Sequence, residues 1–390
     1  MRSDIFGTPT PLVLAELIDV RLSLLKPFVT GFGSSATRQA LLIHLQDADG
    51  FEGWGEMAAF DHPFYLPETV STTWSIVTEW ALPLAQSVAP TPTLVLTALS
   101  RIRGNNFARA GVESAFWTLA AARTNSSLSA LLAKAAGADE PLVTKSRVQV
   151  GESVGIHDSI ESTIAEVALR KSEGYPRTKL KIRPGWDVEV VRAVREFLGP
   201  DAMLQVDANS SYRSSDIDTL KALDEFNLLC IEQPLDWDDM EGHIDLQAQL
   251  RTPICLDECL RSLALTEEAI RRKATRNVNL KPARVGGIAA SLGVHELCRS
   301  HGVDLWCGGM LESGIGRAIN LAIASLPGFT QPGDLAPPAV HYAYDLVTPS
   351  YVVESDGTIV VPTAPGVGLT PDRNRIEDNT TRHFVSNTKS

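Results

Sequence analysis

From Ser146 onward the chain repeats one rhythm, a short β-branched run followed by a helical segment, in units of about 25 residues. RVQVGES, TKLKI, MLQVDAN, LLCIEQP, PICLDEC, NVNLKP and VDLWCGG form the series of runs, with stretches such as SIESTIAEVALRKSEG and DVEVVRAVREFLG between them. Antiparallel neighbours need only a tight turn, whereas a helix between successive strands makes them parallel and joined by crossovers. Two architectures satisfy that demand, an open doubly wound sheet and a closed barrel. No G-x-G-x-x-G follows the first strand, which weakens the dinucleotide-binding open sheet. A closed barrel is predicted, with its eighth strand after SLPGF.

The 390 residues exceed what one small core needs, and the region before the repeat has a different character. VRLSLLKPFV and QALLIHLQDADGFEGWGE alternate like antiparallel strands joined by turns, and Pro67 to Ala136 turns helical. Val112, Ala115, Phe116 and Leu119 recur there at helical spacing. The expected organisation is therefore an α+β domain over residues 1–144 and a barrel over 145–345. A C-terminal segment, 346–390, is expected to return to the first domain. YVVESDGTIVVP reads as a hairpin around Ser355, Asp356 and Gly357 in the style of that domain.

A net charge of −12 argues against a nucleic-acid surface. The N-terminus lacks the basic start and apolar core of a signal peptide, and no apolar run reaches membrane-spanning length. A cytoplasmic protein without membrane partners is expected. Five cysteines without a C-x-x-C pair read as buried thiols in a reducing compartment.

Three strand ends of the repeat finish in acids at intervals of 25 residues: Asp207 in LQVDAN, Glu232 in LCIEQP and Asp257 in ICLDEC. Successive strand ends lie side by side on the C-terminal face of a parallel barrel, where the connecting loops build active sites. Three carboxylates converging there repel one another unless a cation sits between them. An all-oxygen set suits Mg2+, with Mn2+ a workable substitute. Lysines flank the acids. Lys179 and Lys181 point to one face of the second strand, and Lys281 ends the sixth, across the mouth from them. A divalent cation on a substrate carboxylate makes the adjacent α-proton more acidic, and a lysine whose pKa is depressed by a neighbouring charge can remove it. Lys179 is placed to act on Lys181 in that way, and Arg284 on Lys281.

The stretches KLKIRPGWD, LQVDAN, IEQPL, PICLDE, NLKPARVGG and WCGGMLESGIGRA together resemble the enolase superfamily, in its muconate cycloisomerase-like subgroup. Within that subgroup the likeness is greatest to N-acylamino acid racemases and o-succinylbenzoate synthases. The resemblance implies a modified TIM barrel, (β/α)7β, carrying an α+β capping domain. It also implies Asp207, Glu232 and Asp257 as ligands of Mg2+ and Lys181 and Lys281 as the acid/base pair, with Lys179 beside them. Asn209 and Glu258 are expected to support this set from behind.

Substrate selection is expected in two lid loops, 24–35 and 53–65, through Phe28, Phe32 and Tyr65. Gly309, Met310, Glu312 and Arg284 are further candidates for substrate contact. The substrate class is a small carboxylate, and a homo-oligomer is compatible with the sequence. Paired lysines on opposite faces favour a racemase of N-acylamino acids, N-succinyl ones included. The alternatives are an o-succinylbenzoate synthase, a muconate-type cycloisomerase and a non-catalytic metal-binding relative. The segment LAPPAVHYAYD, 335–345, is more apolar than the family pattern and bears on which substrate is taken.

Overall fold

The computed structural model describes residues 4–30, 33–137 and 140–386. Its first layer is an antiparallel sheet built from β1 (Leu12–Thr30), β2 (Gly33–Asp47) and β3 (Glu52–Met57), with the chain's last strand on its outer edge. The helix Asn106–Arg123 lies across this sheet and buries Val112, Ala115, Phe116 and Leu119 against it, the four residues picked out by periodicity. Contact is close because β3 offers glycine. A Cβ on Gly55 would come within 2.2 Å of the Gly111 carbonyl oxygen. Thr118 completes the junction by donating to Trp54 O while accepting from Trp54 N.

The repeat folds into a curled parallel sheet in sequence order. After β4 (Arg147–Gln149) come β5 (Glu152–Val154), β6 (Arg177–Lys181), β7 (Met203–Asp207) and β8 (Ile231–Glu232). Then follow β9 (Ile254–Leu256), β10 (Asn277–Leu280) and β11 (Asp304–Cys307). The eighth place is filled by an extended segment after SLPGF. On one side Thr330 N and Asp334 N donate to Leu305 O and Cys307 O of β11, each at 2.9 Å. On the other, Gly151 N donates to Gly333 O at 2.7 Å and Gly333 N to Gln149 O at 3.2 Å. Those bonds close the ring, giving the (β/α)7β barrel with its α+β cap.

The C-terminal segment divides its attachments. Beyond β12 (Val347–Thr348), the turn at Ser355 to Gly357 leads into β13 (Thr358–Val360), which pairs antiparallel with β4 at the foot of the barrel. It does not join the first sheet, because Ile359 is needed to bury against the barrel core with Val148. β14 (Thr370–Pro371) pairs with β12, and only β15 (Thr380–Val385) reaches β1.

Cap and barrel meet through two buried carboxylates. Glu56 of β3 accepts from Ser313 N, Ser313 Oγ and Gly316 N, at the start of the helix Gly314–Ala324. Glu113 accepts from Ala289 N at 2.9 Å, at the start of the helix Ile288–His301, and from the Trp117 indole. Helix N-termini leave such N–H groups unpaired, and the cap supplies their acceptors. Burial pushes both acids up to about 7, against the pull of these donors. All five cysteines are buried thiols. No helix among the described residues is long and apolar enough to cross a membrane.

Candidate active site

Alternation along β6 explains the lysine pair and adds a third cation. Arg177, Lys179 and Lys181 point into the barrel, one above the other, while Thr178 and Leu180 face outward. At the foot of this column Arg177 donates to Asp334 Oδ1 at 2.5 Å and to Pro332 O at 3.1 Å. Lys179 pairs with Asp334 as well, and lies 3.0 Å from Glu232 Oε2 and 3.1 Å from Asp207 Oδ2. Trp306 of β11 presents its ring to both cations at about 5 Å. Lys181, nearest the mouth, donates to Asp207 Oδ2 at 2.6 Å and to Asn209 Oδ1 at 2.8 Å.

Strand register places the acids beside them. Lys181 aligns with Asp207, and Asp207 with Glu232, while Asp257 follows the last residue of β9. All three are almost wholly buried. Each turns one oxygen to a protein donor and the other to a lysine. Asp207 Oδ1 accepts from Asn209 N, Glu232 Oε1 from the Asn279 amide, and Asp257 Oδ1 from the Tyr65 hydroxyl at 2.8 Å. The opposite oxygens, Asp207 Oδ2, Glu232 Oε2 and Asp257 Oδ2, face Lys181, Lys179 and Lys281. Ammonium groups occupy these oxygens, and no three His, Cys, Asp or Glu residues among those described stand grouped to hold an ion as they are.

Lys281 donates to Asp257 Oδ2 at 2.7 Å and to Tyr65 Oη at 3.2 Å, so a cap residue enters the barrel's charge network. Its side chain passes over Gly308, where a Cβ would lie 2.8 Å from Lys281 Cε and 2.1 Å from Asn279 Oδ1. Burial works against both inner lysines. For Lys179 it is outweighed by Asp334, then Glu232 and Asp207; for Lys281 by Tyr65 and Glu258. Both pKa values are held above the ordinary range. Burial likewise raises Glu232, with Asp207 beside it, whereas Lys181 and Lys179 overcome burial at Asp207 and hold it low.

The pocket above these groups is walled by Tyr65, Phe60 and Arg38 from the cap and by Gly309, Met310 and Arg317 from the barrel. Asn209 lines it and donates to Glu258 Oε1 at 3.2 Å. Glu258 is pushed up to about 7 by burial and by Asp207.

Two expected substrate contacts are placed elsewhere. Arg284 turns back beneath its strand and is fully buried, bound to Asp257, Asn279 O and Leu260 O, so it holds Asp257 from behind. Glu312 stands behind the wall, accepting from Met310 N and the Asn320 amide and pairing with Arg317 at 3.2 Å. Phe28 and Phe32 lie outside the residues whose side chains are described. The 335–345 segment reaches the pocket through Ala336 and His341, and His341 O accepts from Leu25 N at the base of the first lid loop.

Asp334, Arg177, Arg38 and Arg317 escaped the sequence reading. The usable hint was Arg177 itself, which extends the K-x-K alternation by one step.

Residues 14–133 match the family model described as mandelate racemase / muconate lactonizing enzyme, N-terminal domain, and residues 163–375 the enolase C-terminal domain-like model. The chain belongs to the enolase superfamily. It is similar to an o-succinylbenzoate synthase of Geobacillus kaustophilus, 42% identical over 92% of this chain and 93% of that protein. It is similar in the same degree to an N-succinylamino acid racemase of Amycolatopsis, 40% identical over 94% of this chain and 96% of the other. A crystal structure of an enolase superfamily member from Listeria innocua superposes with a TM-score of 0.91 at 37% identity, over 98% of this chain and all of that one. This superfamily member is thus an enzyme whose relatives carry two reaction names at nearly equal distance.

Proposed function

We propose that this chain racemises N-acylamino acids, N-succinyl ones foremost, by moving the α-proton of a substrate carboxylate. The observation that carries the reading is the placement of Lys181 and Lys281. They extend from strands four places apart in a ring of eight and line one pocket from opposite walls.

Enolase-superfamily sites use a lysine or histidine base together with one or two Mg2+ ions. The acids of this chain fit such an ion. Asp207, Glu232 and Asp257 are each oriented through one oxygen and keep the other on a lysine ammonium, a partner that a divalent cation can displace. These three residues would hold Mg2+, which when bound supplies positive charge to the substrate carboxylate as the α-proton leaves.

The protein's own part is proton transfer and enclosure. Lys181 takes the proton from one face of the α-carbon, and Lys281, protonated, returns one to the other face, inverting the centre. Lys179, held charged by Asp334, is the cation beside Lys181. Tyr65 and Asn209 hold the two ammonium groups in place, and Phe60 with Met310 excludes water. In this division residues 145–345 supply the chemistry, and residues 1–144 select the substrate.

Incubation of both enantiomers of N-succinyl and N-acetyl amino acids with Mg2+ in D2O tests the reading by α-deuteration. Exchange with inversion is expected, and its absence from every N-acylamino acid would sink the racemase.

Equal similarity to a synthase supports a second reading, dehydration to o-succinylbenzoate. That reaction needs one base. Lys181 would remove the proton and protonate the departing hydroxide, while Lys281 balances charge. Rapid turnover of the cyclohexadiene precursor without N-acylamino acid exchange would select it.

A further inference from the structure

The pocket's cations differ in how they are matched. Lys179, Lys181 and Lys281 each lie against a carboxylate, and Arg317 pairs with Glu312 and donates to Asp334 O. Arg38 of β2 is different. It is only 3% exposed, yet among the described residues no carboxylate lies within ion-pairing distance of it. Its Nη1 donates to Ala59 O, and the guanidinium sits over the Phe60 ring at 4.7 Å, which fixes its plane. The remaining groups, Nε and Nη2, are buried without a hydrogen-bond partner.

Burying a guanidinium with idle donors is costly, and the cost is relieved only when an acceptor arrives. Nε and Nη2 form one edge of the planar fork, the edge that receives both oxygens of a carboxylate in parallel. The edge belongs to a residue lining the substrate pocket from the cap, away from the acids on the barrel strands. His341, also in the lining, does not compete as a cation. Burial first, then Arg317 and Arg170, push it down to about 3 and keep it neutral near pH 7.

We infer that Arg38 receives the second carboxylate of the substrate, the one at the far end of a succinyl arm, through Nε and Nη2. The inference rests on the reading above only for the identity of the arm, and that arm is common to the racemase and synthase readings. In this arrangement the α-carboxylate belongs to the barrel and the distal one to the cap. A single substrate thereby spans both domains, and a neutral acyl group of equal length fills the same space without engaging the fork.

Titration calorimetry on the Mg2+-loaded full chain distinguishes the arms, using N-succinylglycine and N-butanoylglycine. The wild type is expected to bind the succinyl ligand more tightly, and Arg38→Met to shrink that preference about 10- to 100-fold, the range of a charged bidentate pair. Arg38→Lys, which keeps the charge but loses the fork, should fall between them. Absence of a succinyl preference in the wild type overturns the inference without any variant. So does a loss in Arg38→Met that is equal for both ligands. Because binding is read without turnover, a succinyl preference that depends on Arg38 stands even if α-deuteration fails. In that outcome only the reaction reading falls.

Discussion

Two groups of acids are buried in this protein by opposite means. At the barrel mouth Asp207, Glu232 and Asp257 are each met on one oxygen by a lysine side chain. At the seam with the cap, Glu56 and Glu113 are met by backbone N–H groups at the starts of two helices. Side-chain ammoniums can swing aside and yield to a stronger cation, whereas backbone donors cannot move without unwinding a helix. The first arrangement suits a site that must exchange partners, and the second suits a joint that must not.

Removing a lysine tests the mouth most severely. Lys281→Ala or Lys181→Ala should lower α-proton exchange about 10³-fold, within the usual range for a general acid or base, while Mg2+ still binds. Retained exchange would show that the mouth's cations are structural, like the seam's donors. Tyr65→Phe is a milder cut, since it removes the hydroxyl that bridges Asp257 and Lys281. A loss of about tenfold in turnover is expected, of the size found when partners behind a metal ligand are removed.

At the seam the expected effect is on stability. Glu56→Ala strands the N–H groups of Ser313 and Gly316 in a buried place and should cost about 3 kcal/mol in urea unfolding. A cost near zero would mean that the seam is as replaceable as the mouth.

The smallest effect sets Glu56 against Asp207 by sign. Glu56 has its folded pKa raised to about 7, above an unfolded value of about 4.3, so folding takes up a proton between them. Its contribution to stability therefore declines as pH rises from about 4.5 to 7. Asp207, held low, contributes stability that is present above about pH 4 and lost on acidification. Glu56→Gln should make the decline between pH 4.5 and 7 shallower by up to one proton, measured as the pH dependence of unfolding free energy. An unchanged slope would remove Glu56 as its source.

The barrel and the line of acids and lysines were legible because both follow from spacing. A strand end recurring every 25 residues lands on the same rim whatever the loops do. What stayed hidden depends on loops that cross the molecule. Asp334 meets Arg177 from 157 positions away, and Tyr65 reaches Lys281 across 216. Arg284 shows the same limit at short range. It lies three residues after Lys281, yet the turn opening the helix Pro282–Val285 sends it back under the strand instead of into the mouth. The C-terminal hairpin differs from expectation for a related reason: alternation states that a strand exists and is silent on its neighbour, which is β4 and not the first sheet.

The eighth place of the barrel carries one more consequence. The backbone of Gly333 and Asp334 joins the first strands of the ring to the last, and the Asp334 side chain pins Arg177 and Lys179. Ring closure and the pairing of the two lower cations of the β6 column are thus made by one short stretch, which follows every other barrel strand in the chain. Until that stretch docks, Arg177 and Lys179 lack the carboxylate that pins them both.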